Sequence, residues 1–455
     1  MTTLREDLEQ VHPARQLLGV FLAIAVTVPA LVIRFTHPDI PHPLEAFLFG
    51  LAIVGSAFLL SWAAEVAQLD ISAGLAIAIL ALIAVLPEYA VDFVFAWKGG
   101  EAYEAANFQG CPPLPGGGTE SPCSLALANM TGANRLLIGI GWTMVVFVAF
   151  MRMRSKGMLV KGERWGGVKL DREHSIEISF LAIATAYSLT LPLKHTITLI
   201  DAGVLITIFV LYTFRVSRAP AEEPHLVGPA RYIGTFPTTA RRAVVIGIGV
   251  FAAAIILLVA ERFAEALVAS GEALGISEFL LVQWLAPLAS EAPELLVAGL
   301  YAWRLNTNAG LGTLVSSKVN QWTLLVGTLP IVFAISSGTL HGLPIDAVQR
   351  EELFLTAAQS VFALAVLVNL RMSLREAGFL FALFWIQFIL GGLVPEEYHD
   401  FERIAVGIVY LILAAWIIVG NWRQVPIVLR DGFRSSYDEL AVPLAEPPAT
   451  LHDLD

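Results

Sequence analysis

Positive charge is scarce in this sequence: 28 Lys and Arg stand against 39 Asp and Glu, a formal net charge of −11. That balance argues against nucleic acid as a partner. Charge of either sign is also thin, at 15% of 455 residues, against roughly 25% in a soluble domain. Cysteine is limited to Cys111 and Cys123, and no nearby histidine completes a zinc ligand set with them. No HExxH, GxSxG or paired transmembrane aspartates occur, so intramembrane hydrolysis is excluded and the chain is not expected to be an enzyme. The first apolar run lacks a small-residue cleavage site and has full span length, so no cleavable signal peptide is expected.

What the chain has instead is apolar length. Hydrophobic residues make up 56% of it and gather in runs long enough to cross a bilayer. The expected spans are 16–36, 44–68, 71–97, 125–150, 175–193, 196–214, 243–269, 278–303, 309–334, 352–370, 376–394 and 404–421. The fold class is therefore an all-α polytopic membrane protein of about twelve transmembrane helices. Arg152, Arg154, Lys156, Lys161, Arg164, Lys169 and Arg172 follow the fourth span, and Arg215, Arg218, Arg231, Arg241 and Arg242 follow the sixth. The positive-inside rule makes both loops cytoplasmic, and an even span count then puts both termini on that side. The expectation is an integral protein of a bacterial plasma membrane, whose partners are the lipid bilayer and inorganic cations; the sequence names no protein partner. Cys111 and Cys123 then share an extracytoplasmic Pro/Gly-rich loop, where an oxidising compartment permits a disulfide.

Two uncharged hydrophobic stretches carry the same step, Pro then Glu: ALIAVLPEYAVDFVF with Pro87-Glu88, and LAPLASEAPELLVAGLY with Pro293-Glu294. A carboxylate at the bilayer centre costs about 2.5–3.5 kcal/mol on insertion scales, so it is expected to face a cavity, partner or ion. The proline beside it frees backbone carbonyls that can also act as oxygen ligands. Similarity extends outward from both steps. Upstream stand Leu69-Asp70-Ile71-Ser72 and Leu274-Gly275-Ile276-Ser277; downstream stand LALANMTGANRLLIGIGW and GLGTLVSSKVNQWTLLVG. The copies start at the second and seventh spans, an odd number apart, so they enter the membrane from opposite sides as inverted-topology repeats. The expected plan is an N-terminal segment and extra helix (1–43), a first repeat (44–150) with its cysteine loop (98–124), and basic loops with two connecting helices (151–242). A second repeat (243–334), C-terminal helices (335–421) and a cytoplasmic tail (422–455) follow.

These motifs resemble the cation/calcium antiporter superfamily, the sodium/calcium exchanger-like proteins, whose two alpha repeats have a G-T-S-x-P-E core followed by G-N-x-x-G-S-N. The resemblance covers about 44–150 and 243–334. It implies a secondary antiporter that exchanges Ca2+ or another cation for Na+, K+ or H+ by alternating access, with no cofactor beyond the transported ions. Position by position, it implies Glu88 and Glu294 as the paired metal-binding carboxylates, with Asn129, Thr313 and Ser290 as polar ligands. Glu291 is expected to join this cation-binding set, and Asp92, Asn134 and Ser317 are additional candidates beside it. The chain departs from the motif at Ala84 and Val85, which replace hydroxyl residues, at Glu291 in place of a serine, and at Lys318 in place of the last asparagine. Ca2+ takes six to eight oxygens, so a neighbouring ammonium matters. Lys318 either snorkels or pairs structurally with an acid such as Glu291, or it neutralises a buried carboxylate and yields when a cation binds. Arg135, unusual at its depth, is expected to pair with a buried acid. A Na+/H+ or K+/H+ exchanger without Ca2+ transport, a channel, and a transport-dead homologue remain the alternatives.

Overall fold

The computed structural model describes residues 13–70, 86–113, 120–158, 167–220, 226, 228–393 and 398–442. Its helices are α1 Pro13–Ala25, α2 Val28–Thr36, α3 His42–Ala67, α4 Leu86–Ala105, α5 Pro122–Leu136, α6 Thr143–Ser155, α7 Ser175–Ser188, α8 Leu199–Val216 and α9 Pro229–Gly234. They continue as α10 Thr238–Leu274, α11 Glu278–Trp303, α12 Thr307–Asn320, α13 Val326–Ser337, α14 Ala347–Leu367, α15 Leu374–Leu393, α16 His399–Gly420, α17 Val425–Phe433 and α18 Tyr437–Leu440. Among the described residues nine helical segments are long and apolar enough to cross a membrane. They match nine of the twelve expected spans. The other three are α4, whose expected first residues 71–85 lie outside the described residues, and α11 and α14. Those three carry Glu88 and Asp92, Glu291 and Glu294, and Glu351 and Glu352. Their polar content lowers their hydropathy and marks where the protein carries polar groups inside.

The inverted repeat is visible in the packing. The two first helices, α3 and α10, lie along each other, while α4 packs on α13 and α11 packs on α5. Four two-residue strands obey the same exchange. β1 Val168–Lys169 pairs antiparallel with β4 Arg371–Met372, and β2 Thr196–Ile197 with β3 Leu343–Pro344. β1 follows the third helix of one copy and β4 the fourth helix of the other; β3 and β2 reverse those roles. Both fifth helices also start alike. Thr198 and Asp201 form a reciprocal capping box at α8, and Ser373 and Glu376 do so at α15, through bonds of 2.7–3.2 Å. Each box satisfies amide protons that a helix end leaves unpaired. Gly275, in the left-handed region at φ 65°, ends α10 and sets the short connection into α11.

The third span of each copy changes winding at one and the same place. A π turn spans Leu137–Trp142 between α5 and α6, and another spans Gln321–Leu325 between α12 and α13. Each starts three residues past a repeat mate, Asn134 in one copy and Lys318 in the other. Extra residues in a π turn re-aim the side chains around it and often mark functional positions. The cysteine loop is closed by a Cys111–Cys123 disulfide. The stretch 425–442, expected as part of a tail, is docked: Arg172 bonds Asp431 at 2.8 Å, Arg215 donates to the Gly432 carbonyl at 3.2 Å, and Ser179 donates to the Val428 carbonyl at 3.1 Å.

Candidate functional site

α5 is the pivot of the site. All fifteen of its residues are buried, so its polar groups meet protein on every side. Pro122 starts it, where the missing N–H costs nothing. Gly132 lies against α11 so closely that a Cβ there would overlap the carbonyl oxygen of Gln283. That carbonyl is free because Pro287, four residues on, has no N–H to give it. Pro293 likewise frees the carbonyl of Ala289. Two prolines inside α11 therefore supply backbone oxygens where the two copies touch.

Carboxylates of α4 and α11 come within electrostatic reach of one another. Glu88 and Asp92 lie one turn apart on α4, and both are buried. Glu291 on α11 is 2% exposed, and Gln321 of the second π turn donates to its Oε1. Glu294, half-buried, is within electrostatic reach of Glu88 in the other copy, and Glu291 is within reach of both. Three of these side chains keep an oxygen with no protein partner, at Glu88 Oε1, Asp92 Oδ2 and Glu291 Oε2. Ser290 donates to the carbonyls of Ala286 and Pro287, both at 3.2 Å, which leaves its oxygen lone pairs available. Asn129 donates to Asp92 at 2.7 Å and keeps its own Oδ1 unpaired. Among the described residues no three carboxylate or imidazole groups are arranged as a closed metal cage; the arrangement is one of carboxylates contributed by both copies.

Lys318 does not snorkel. It is 0% exposed, and its Nζ donates to the backbone oxygen and the Oδ1 of Asn134, each at 2.6 Å. The ring of Trp322 lies 5.3 Å from it, and Glu88 and Glu291 are the carboxylates whose charges act on it. Thr313 requires a correction. It is exposed and donates to its own helix at the Ala309 carbonyl, 2.8 Å away, so it does not join Glu294. It stands five positions before Lys318, about 140° around a helix, and is the one exposed residue of α12, whereas α5 has none. Ser317 is half-buried on α12. Ala84 and Val85 lie outside the described residues.

Sequence reading missed Gln321 and a second polar centre. Arg135 does pair with a buried acid, Glu352, at 2.7 Å. Gln283 and Arg403 close on the same carboxylate at 2.9 and 3.0 Å, and Gln387 also receives Arg135. The only signal available was a scatter of single Gln and Glu residues inside apolar runs. Tyr89, next to Glu88, donates to Asn320 at 3.1 Å and ties α4 to α12.

Comparison with known proteins fits this geometry. The family model described as sodium/calcium exchanger protein matches residues 43–218 and 244–391. The chain is similar to the crystal structure of H+/Ca2+ exchanger CAX, with 39% sequence identity and a TM-score of 0.82, over 94% of this chain and 99% of that one. It also resembles the structure of native YfkE, with 12% identity and a TM-score of 0.52, over 87% of this chain and 99% of that one; at that identity the likeness is one of fold. No curated protein matches the chain.

Proposed function

This chain belongs to the sodium/calcium exchanger protein family, and we propose that within it the protein exchanges Ca2+ for H+ by alternating access. As a family member it is an integral membrane transporter of inorganic cations. One observation carries the finer reading: the Pro-Glu carboxylates of two inverted copies, Glu88 and Glu294, lie within electrostatic reach of each other on helices α4 and α11, which touch. The 39% identity to an H+/Ca2+ exchanger supports the choice of ions.

Two buried carboxylates repel one another when both are ionised. A divalent cation between them removes that repulsion, and protons remove it by neutralising the oxygens. Ion and protons therefore compete for the same groups. The rest of the six to eight oxygens that Ca2+ takes would come from Ser290, Asn129, the freed carbonyl of Ala289 and water. Because the copies are inverted, exchange of conformation between them turns the site from one face of the membrane to the other. We place both termini and the Arg-rich loops on the cytoplasmic face and the disulfide loop outside.

The test is Ca2+ uptake into proteoliposomes under an imposed pH gradient, with proton efflux read by an internal dye. Wild type should couple the two fluxes, while Glu88→Gln and Glu294→Gln should each abolish them in protein that still elutes as a folded species. Full transport by Glu294→Gln would end this reading.

A further inference from the structure

Resting on that reading, we infer that Lys318 is a tethered cation of the transport site, charge-matched to Glu291, which fills a monovalent seat and leaves room for one divalent ion. The internal repeat supplies the first observation. The mate of Glu291 in the first copy is Val85, and the mate of Lys318 is Asn134. The first copy is neutral at both positions and the second is charged at both, with opposite signs.

The fold brings the two added charges together. Glu291 and Glu88 are the carboxylates whose charges act on the Lys318 ammonium. Gln321, three residues past Lys318, bonds Glu291, and both added side chains are buried, at 2% and 0% exposure. Either charge alone would be an uncompensated ion in a dry interior, a strongly unfavourable arrangement; together they cancel. The ammonium is also coordinated as a small cation would be, by two oxygens of Asn134 at 2.6 Å with carboxylates alongside. Oxygen atoms that could hold Na+ are thus already committed to a cation the protein cannot release. With Lys318 set against Glu291, and Asp92 engaged by the Asn129 amide, Glu88 and Glu294 keep two negative charges between them, the charge of one divalent ion. By donating to Glu291, Gln321 fixes that carboxylate.

The consequence is indifference to Na+. Full-length protein in proteoliposomes is assayed for 45Ca2+ uptake under a pH gradient, with choline or with saturating Na+ in the medium, and for 22Na+ uptake. Wild type should show the same Ca2+ rate in both media and carry no 22Na+. The double variant Glu291→Val with Lys318→Asn restores the pattern of the first copy; whatever its rate in choline, Na+ should slow its Ca2+ uptake about tenfold, or it should carry 22Na+ itself. Lys318→Arg keeps the charge and should stay indifferent to Na+. A double variant as indifferent to Na+ as wild type overturns the inference, as does wild-type Ca2+ uptake that Na+ competes away. The Glu294→Gln variant separates the two readings: if it transports, the site assignment fails, whereas if it is dead and the double variant ignores Na+, only the role of Lys318 falls.

Discussion

Glu352 is the carboxylate on which the second polar centre depends, and its loss should cost more than the loss of either arginine. Its Oε2 accepts from Arg135 at 2.7 Å and from Gln283 at 2.9 Å, and its Oε1 faces Arg403 at 3.0 Å. Glu352→Gln leaves Arg135, 2% exposed, with the Gln387 amide and the ring of Trp284 5.1 Å away. Removing one partner of a buried pair costs about 3–5 kcal/mol, because the remaining charge stays desolvated. Glu402 lies near enough to feel the Arg135 charge, which puts the expected loss toward the lower end, about 3 kcal/mol. Arg403→Gln is milder. Glu352 keeps Arg135 and Gln283, and the partner that suffers is Glu351, 15% exposed and open to water; about 1–2 kcal/mol is expected. Reversible unfolding in mixed detergent micelles, followed by tryptophan fluorescence, measures both. An Arg403→Gln loss equal to or larger than that of Glu352→Gln would refute the reasoning, since it would place the essential charge on α16 instead of α14.

Two further outcomes follow from local geometry. Gly132→Ala puts a methyl group into the backbone carbonyl of Gln283, which cannot rotate aside. It should destabilise by about 1–3 kcal/mol and slow exchange, whereas Gly247→Ala, with open space around it, should leave both melting temperature and transport near wild type. At the other end of the repeat, two bonds from Arg241 to Asp70, at 2.8 and 2.7 Å, hold the Asp70 carboxyl below its ordinary range. A group depressed in the folded state stabilises above its unfolded pKa and loses that contribution as pH falls through the folded value. Asp70→Asn should therefore cost about 1 kcal/mol near neutral pH, and the gap from wild type should close in acid; a gap that widens as pH falls would sink the assignment.

Span lengths were legible because bilayer thickness fixes them, and the inverted repeat was legible because Pro87-Glu88 and Pro293-Glu294 sit in matching surroundings. Faces of helices were less so. Asn129 and Thr313 are repeat mates, yet one is buried against Asp92 and the other is exposed. Nothing in either copy of the motif says that α5 is enclosed on all sides and α12 is not, since that depends on which helices surround each one. Gln321 and Glu352 were missed for the same reason: a single polar residue in an apolar run acquires meaning only from its neighbour across the fold.

The contacts that could have been foreseen are those between mates. Residues related by a two-fold pseudo-axis lie at equal distances from it, so mates that touch must lie close to the axis itself. Asn134 and Lys318, 184 positions apart, are such a pair, and Glu88 and Glu294 lie near enough for the charge of one to act on the other. The touching pair therefore marks the axis where two inverted halves exchange roles, the region both faces of the membrane can reach in turn. A charge added there by one copy alone cannot be balanced by its mate, because the mate is the residue it touches. Lys318 touches neutral Asn134 and must find its counter-charge elsewhere in its own copy. Glu291, on the same half of the chain and near enough for its charge to act on the ammonium, is the counter-charge we assign to it.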